Sequence, residues 1–344
     1  MNANFPKLLS QLISGPALGA EGVRSAFGAI LAGAWTPVQI AAFAVALRMR
    51  GETADEIVGA AQAMRAAMIA VDHDHPVVVD TCGTGGDGAQ TLNLSSAAAV
   101  VIAASGVVVA KHGNRSASSR CGSADVFEAL GIPMDLPPAR QGELLGEVGI
   151  VFLFAQAHHP ALKHVGQARR ELGTRTIFNA LGPLANPARA THQLLGVYDE
   201  ALRPVAARAL RTLGTRRAWV VRGEDGLDEV SPCAPTRVSE LLANGEIREW
   251  VVAPEDFGLP RVPLSAIEGG DVETNARAFS AVLDGEAHPA RSAVILNAAA
   301  ALAVAGTDDD LRACAERATS AIDSGAARST FDRWKRAAAR LGGA

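Results

Sequence analysis

DTCGTGGDGAQTLNLSS, residues 80–96, decides how the rest of this chain is read. The run Val77-Val78-Val79 leads into it and the apolar run from Ala97 to Ala104 leads out, so it joins a strand to a helix. Inside it, Gly83-Thr84-Gly85-Gly86-Asp87-Gly88 satisfies the G-x-G-x-x-G pattern of a dinucleotide-binding turn. Glycines there bring backbone N–H groups together with no side chain in the way, and such a nest holds phosphate oxygens. Two details argue against a dinucleotide. Seven residues, Ala89 to Ser95, precede the apolar helix, whereas in the dinucleotide fold the helix opens within the motif. That fold also wants an acid roughly 20 residues on, to hold a ribose. The corresponding stretch here is GVVVAKHGNR, with Lys111, His112 and Arg115. The loop therefore expects a highly phosphorylated ligand. Thr91, Asn93 and Ser95 alternate after it, placing hydroxyls and an amide on one side of the chain for a second phosphate or a sugar.

Downstream, PVVVD, GVVVA, GIVFLFA, HQLLGVY and RRAWVV alternate with helical stretches. Continuous apolar strands separated by helices predict an α/β fold with a mostly parallel sheet covered on both faces. TRVSELLANGEIREWVV has Asn244-Gly245 between alternating runs, which predicts a hairpin and an antiparallel part of the sheet. RSAVILNAAAALAVAG, apolar nearly all round, predicts a buried helix. Upstream, residues 6–70 show helical patterns throughout. Thr36, Pro37 and Gly51 bound one helix, and Thr53 with Glu56 forms a capping box for the next. Between Phe154 and His192 the strand pattern lapses in favour of a helix, PALKHVGQARRELG, and a proline-rich loop, LGPLANPAR. The expected architecture is thus a small, discontinuous all-helical domain and a large α/β domain. Residues 1–72, completed by about 160–190, form the first; residues 73–159 and 191–344 form the second.

Bulk properties narrow the class. A chain of 344 residues with a formal net charge of −4 has no electrostatic pull toward nucleic acid or an anionic membrane. No stretch offers the roughly 20 apolar residues of a membrane span. The start, MNANFPKLLSQLISG, lacks a basic region before an apolar core, so no secretory signal is expected. Cys82, Cys121, Cys233 and Cys314 make no C-x-x-C pair, which argues against disulfides and a cysteine-based zinc site. A cytoplasmic enzyme is the expected class.

By itself a glycine motif describes any tight turn before a helix. A second cluster, KHGNRSASSRCGSAD, follows the next strand with a lysine, two arginines, an asparagine and four serines. In open parallel sheets the carboxyl ends of the strands line one crevice, so this loop faces the same ligand as the glycines. A third signal is Asp228-Glu229 in RGEDGLDEVS. Adjacent carboxylates are ordinarily a solvated turn, but opposite a phosphate loop they suit Mg²⁺ bridging protein and phosphate oxygens.

GTGGD, NLSS, KHGNRSASS, GSADVFEALG, RRELGTRTIFNALGPLANP and GEDGLDEVS together resemble the anthranilate phosphoribosyltransferase family, in family order over residues 80–231. GTGGD alone would be shared with pyrimidine nucleoside phosphorylases; KHGNR with NALGPLANP is more specific. The resemblance implies a homodimer through the helical domains, with anthranilate and phosphoribosyl pyrophosphate as substrates and Mg²⁺ as cofactor. It implies that Gly83, Gly86, Asp87, Thr91, Asn93, Leu94, Ser95 and Ser96 line the phosphoribosyl pyrophosphate site. Lys111, His112, Gly113, Asn114, Arg115, Ser118, Ser119 and Ser123 complete it. Ser95, Asp228 and Glu229 match the magnesium positions, and Gly83, Asn114 and Arg169 the anthranilate contacts. Lys111, Asn114 and Arg169 are the expected catalytic residues. Arg170 is a solvated neighbour, and His112 positions its loop or lines the aromatic pocket. His158 and His159 are too few for a metal site and are expected at the mouth of the aromatic channel. Gln156 and Ala168 stand where the family often has Pro and Val, and Ser96 where it often has Thr, which bears on fine substrate preference. A phosphorylase would need no magnesium. A nucleic-acid-binding relative would be basic and would lose the ligand motifs.

Overall fold

The computed structural model describes residues 4–116 and 120–343. Four helices come first: α1 (Phe5–Ile13), α2 (Gly19–Leu31), α3 (Pro37–Arg50) and α4 (Ala54–Ala67). Their ends are set locally. Thr36 and Gln39 cap α3 reciprocally, Pro37 opens it, and Gly51 closes it at φ +86°. Thr53 and Glu56 cap α4 in the same way. Glu56 is fully buried, and its carboxylate also accepts from the Leu18 amide (2.9 Å) and pairs with Arg50, so one acid ties three elements. Gly59 lets α4 cross α2 closely, because a Cβ there would strike the carbonyl of Ala20.

The α/β part follows as β1 (Val79–Asp80), α5 (Leu94–Ala104), β2 (Val109–Gly113), α6 (Ser123–Ala129), α7 (Pro138–Val148) and β3 (Ile150–Phe154). A strand-free segment comes next, with α8 (Ala155–His158), α9 (Lys163–Leu172) and α10 (Ile177–Leu181). The chain then returns through β4 (His192–Gly196), α11 (Leu202–Thr212), β5 (Arg217–Gly223), β6 (Thr236–Leu241) and β7 (Ile247–Val252). It ends in α12 (Val272–Leu283), α13 (Arg291–Ala305), α14 (Leu311–Asp323) and α15 (Ala326–Gly342).

The seven strands lie in the order β3-β2-β1-β4-β5-β6-β7. The β1–β2, β2–β3, β1–β4 and β4–β5 pairs are parallel, whereas β6 and β7 add antiparallel to that edge, as the Asn-Gly hairpin predicts. Side chains along β5 alternate between two cores: Trp219 and Val221 join the cluster under α5 and α13, while Ala218 and Val220 join that of α2–α4 and α11. Both faces are therefore covered. Val165, Ala168, Ile177, Phe178 and Leu181 of the strand-free segment belong to the helical core, where Phe178 meets Phe27. α13 is buried along almost its whole length. Among the described residues no helix is long and apolar enough to cross a membrane, and none of the four cysteines is joined in a disulfide.

The strand order fixes the site. The chain builds outward from β1 through β2 to β3, then crosses back to place β4 on the other side of β1. Connections diverge between β1 and β4, which opens a crevice at their carboxyl ends.

Candidate active site

The loop after β1 lies in that crevice. Gly85, Gly86 and Gly88 have φ of +66°, +81° and +83°, a run only glycine adopts without strain. Thr84 anchors the loop to β4: its amide donates to the Gly196 carbonyl (2.9 Å) and its hydroxyl accepts from the Tyr198 amide (3.1 Å). The amide of Gly85 donates to Asp228 Oδ2 at 2.7 Å. Glycine is needed opposite as well, since a Cβ at Gly196 would strike the Asp228 carbonyl. The glycine loop and the acid pair, 143 residues apart, are thus in direct contact.

The helix begins earlier than the apolar pattern indicates. α5 opens at Leu94, so Ser95 and Ser96 sit in its first turn, where amides lack intrahelical partners. The alternation of Thr91, Asn93 and Ser95 does not survive as one face. Thr91 forms a bridge with Glu268, and the Asn93 amide is held by the Cys121 carbonyl (3.2 Å) and Asn275 (2.9 Å). Ser95 turns to Lys111, whose ammonium donates to Ser95 Oγ, Thr81 Oγ1 and the Thr81 carbonyl, each at 3.3 Å. Leu94 is buried in the core, and Ser96 Oγ is buried without a partner among the described residues.

Lys111 and His112 lie within β2, not beyond it, and both are almost fully buried. Beneath Lys111 is Asp80, at no measurable exposure. Its Oδ1 accepts from the amides of Cys82 (3.0 Å) and His112 (3.1 Å), and its Oδ2 from Asn186 Nδ2 (2.8 Å). Burial lifts the Asp80 carboxyl to about 6, against the pull of Lys111 and these donors. Burial pushes the His112 imidazole well below its ordinary range, with His159 adding to the effect, so the ring is neutral. One ring nitrogen of His112 meets the Gly182 carbonyl at 2.9 Å. Its ring lies 5.2 Å from that of His159. His158 is structural: its nitrogens meet the Ile69 carbonyl and Gln141 Oε1, each at 2.7 Å, which leaves none for a metal.

Asp228 and Glu229 are part-buried near Asp87. Burial, then repulsion from Glu229 and Asp87, raises the Asp228 carboxyl well above the carboxylate range. Burial lifts Glu229 to about 7, opposed by Lys111 and aggravated by Asp87. Three crowded acids beside a phosphate-type loop form an electrostatic deficit that a divalent cation relieves. No group of three His, Cys, Asp or Glu among the described residues could by itself hold a metal ion. That donor set fits Mg²⁺, which keeps water and substrate oxygens in most of its coordination sphere.

Asn114 follows β2; its Oδ1 accepts from the Arg115 amide (2.8 Å) and lies 3.5 Å from Gln156 Nε2. The guanidinium of Arg115 is held by Asp125 (2.9 Å) and Glu128 (2.7 Å). Ser123 Oγ donates to the Asn114 carbonyl at 3.3 Å and packs against Gly113. Ser118 and Ser119 lie outside the described residues. Arg169, on α9, is half-buried with no carboxylate within ion-pair distance among the described residues, and burial depresses its guanidinium. Arg170 is exposed.

The chain matches two family models: the helical bundle domain of a glycosyl transferase family over residues 6–68, and the a/b domain of that family over residues 75–328. It is 53% identical over 320 residues to an anthranilate phosphoribosyltransferase of Myxococcus xanthus, covering 93% of this chain and 95% of that one. A Symbiobacterium thermophilum protein of the same name is 51% identical, over 97% of this chain and 98% of the relative. The crystal structure of the Thermus thermophilus anthranilate phosphoribosyltransferase superposes with a TM-score of 0.91 at 42% identity, over 98% and 99% of the two chains. That of the Saccharomyces cerevisiae enzyme in complex with PRPP and Mg reaches 0.91 at 28% identity, over 99% of each chain. The chain belongs to the anthranilate phosphoribosyltransferase family.

Within this anthranilate phosphoribosyltransferase-type site, several residues escape a reading of motifs. Asp80 reads as the end of a strand, yet it pins the loop after β1, the strand β2 at His112 and the loop after α10. Asn186 lies in the LANP loop and bonds both Asp80 and the Ala110 carbonyl (2.8 Å each). Arg175 rests against Gly86 and over the ring of Tyr198. The available signals were an acid ending an otherwise apolar strand and an asparagine among prolines.

Proposed function

We propose that the chain transfers the phosphoribosyl group of phosphoribosyl pyrophosphate to the amino group of anthranilate, releasing pyrophosphate. One observation carries the reading: the Gly85–Asp228 bond holds a phosphate-type nest and a magnesium-type acid pair together at the switch point. The amine nitrogen forms a bond to the anomeric carbon as the carbon–oxygen bond to pyrophosphate breaks, and the amine then loses a proton. Such an amine is a weak base, so no strong general base is required. Buried, neutral His112 fits a lining role better than that of a base.

Asp228, Glu229 and Ser95 would hold Mg²⁺, which when bound neutralises charge on the leaving pyrophosphate. Lys111 supplies a fixed cation for the same charge from a nearly dry position, where it acts strongly. Gly83, Gly86, Asp87, Thr91, Asn93, Leu94, Ser95, Ser96, Lys111, His112, Gly113, Asn114, Arg115, Ser118, Ser119 and Ser123 would form the donor site. Arg169 clamps the anthranilate carboxylate bidentately, with Gly83 and Asn114 beside it. Holding both substrates in line supplies much of the rate. The helical unit, residues 1–72 with about 160–190, carries Arg169 and meets a second copy in a cytoplasmic homodimer.

The test is the loss of anthranilate fluorescence on adding phosphoribosyl pyrophosphate and Mg²⁺ to the purified protein. A steady signal with all three present overturns the reading.

A further inference from the structure

We propose that Arg175 is a further donor-site residue, a cation held ready for phosphate oxygens of the phosphorylated substrate. The inference rests on the phosphoribosyl-transfer reading. Arg175 lies between α9 and α10, in the strand-free segment whose Ile177, Phe178 and Leu181 are rooted in the helical core. From there it reaches the other side of the crevice. Its guanidinium carbon is 4.3 Å from the ring centroid of Tyr198, the residue whose amide holds Thr84 of the glycine loop. The same guanidinium covers Gly86, so closely that a Cβ at Gly86 would run into it.

Its neighbours make the charge stand out. Arg48, Arg175 and Arg222 border one open depression of about 640 Å³ together with Tyr198 and Asp199. Arg48 is paired with Asp199 at 3.1 Å, and Arg222 donates to the Tyr198 carbonyl at 3.3 Å. Among the described residues Arg175 has neither an ion pair nor a hydrogen bond. A guanidinium carries five donors in a planar fork that matches phosphate, and stacking on an aromatic ring orients the fork without engaging any of them. The arrangement presents unengaged donors against an amide nest of the same ligand chemistry. It also joins the helical part to the phosphate loop through one side chain, so donor binding at Arg175 draws on both halves of the cleft.

The test compares the wild type with Arg175→Gln and Arg175→Lys. Michaelis constants are measured for phosphoribosyl pyrophosphate and anthranilate. Calorimetry with Mg²⁺ gives the affinities of inorganic pyrophosphate and of ribose 5-phosphate, which separate the two phosphate-bearing ends. The glutamine variant is expected to lose about tenfold or more in donor affinity and in affinity for one of the two probes, the worth of a charge-assisted hydrogen bond. The KM for anthranilate and the thermal midpoint stay put, and lysine restores part of the loss. Unchanged affinity for the donor and both probes overturns the proposal. So does an equal loss for donor and anthranilate, or a loss that follows the thermal midpoint. A wild type that binds pyrophosphate through Arg175 yet consumes no anthranilate would instead sink the transfer reading and leave this inference standing.

Discussion

In the metal-free protein, Glu229→Gln replaces a carboxylate that burial and Asp87 hold at about 7 by a neutral group of the same shape. The folded carboxyl binds its proton more tightly than the unfolded one does. Its contribution to stability is therefore complete below about 4.5 and is lost as pH rises through about 7. Lifting a carboxyl over that range corresponds to about 3 kcal/mol, at about 1.4 kcal/mol per tenfold. Water still reaches Glu229, so about 1–2 kcal/mol is the working figure. Glutamine mimics the protonated acid. The variant should match the wild type at pH 4 and exceed it by that amount at pH 8. Magnesium should reverse the order. Binding at a hundred times the dissociation constant stabilises a folded state by about 2.7 kcal/mol, and the variant forgoes most of it. Urea unfolding of both proteins at the two pH values, with and without Mg²⁺, reads this as shifts in midpoint at constant slope. A variant no more stable than the wild type at pH 8, an equal gain at both pH values, or an undiminished magnesium response would refute the crowding of Asp87, Asp228 and Glu229.

Arg169→Ala should raise the KM for anthranilate by about 10- to 150-fold, one charged hydrogen bond, with the donor KM little changed; Arg170→Ala is the control, and equal defects would remove the clamp assignment. Lys111→Met keeps the buried volume but removes the cation between Asp80 and Glu229, and kcat at saturating substrates should fall by about 100-fold or more; a near-normal kcat would exclude Lys111 from charge neutralisation. Asn186→Leu deletes three bonds of 2.8 Å, to the buried Asp80 carboxylate, the Ala110 carbonyl and the Ala188 amide, and should cost about 2–4 kcal/mol in urea unfolding. A loss below about 1 kcal/mol would mean that the other donors to Asp80 suffice.

The readings that held from sequence are those whose causes lie within a few residues. The caps of α3 and α4 depend on side chains three positions apart. The Asn-Gly hairpin and the buried α13 follow from turn chemistry and periodicity. The glycine loop was legible because only glycine tolerates that run of positive φ. Its pairing with Asp228-Glu229 was anticipated from two motifs that each sit beyond a strand, since parallel strands align their carboxyl ends. Asn93 was read as one of three polar side chains on one face. Its amide instead answers the Cys121 carbonyl and Asn275, which only the packing of α12 brings within reach. Lys111 reads as a loop residue, but pairing with β3 extends β2 through Gly113 and draws the lysine into the interior.

Local chemistry therefore determined the strand–loop–helix unit and the helix ends. Tertiary structure decided which polar groups are used up and which remain free. Asp80 and Asn186 are 106 residues apart, and Arg175 comes from a segment rooted in the helical core. Neither contact leaves a periodic or spacing signal, because each exists only where the crossover lays β4 beside β1 and folds the intervening helices back over the crevice.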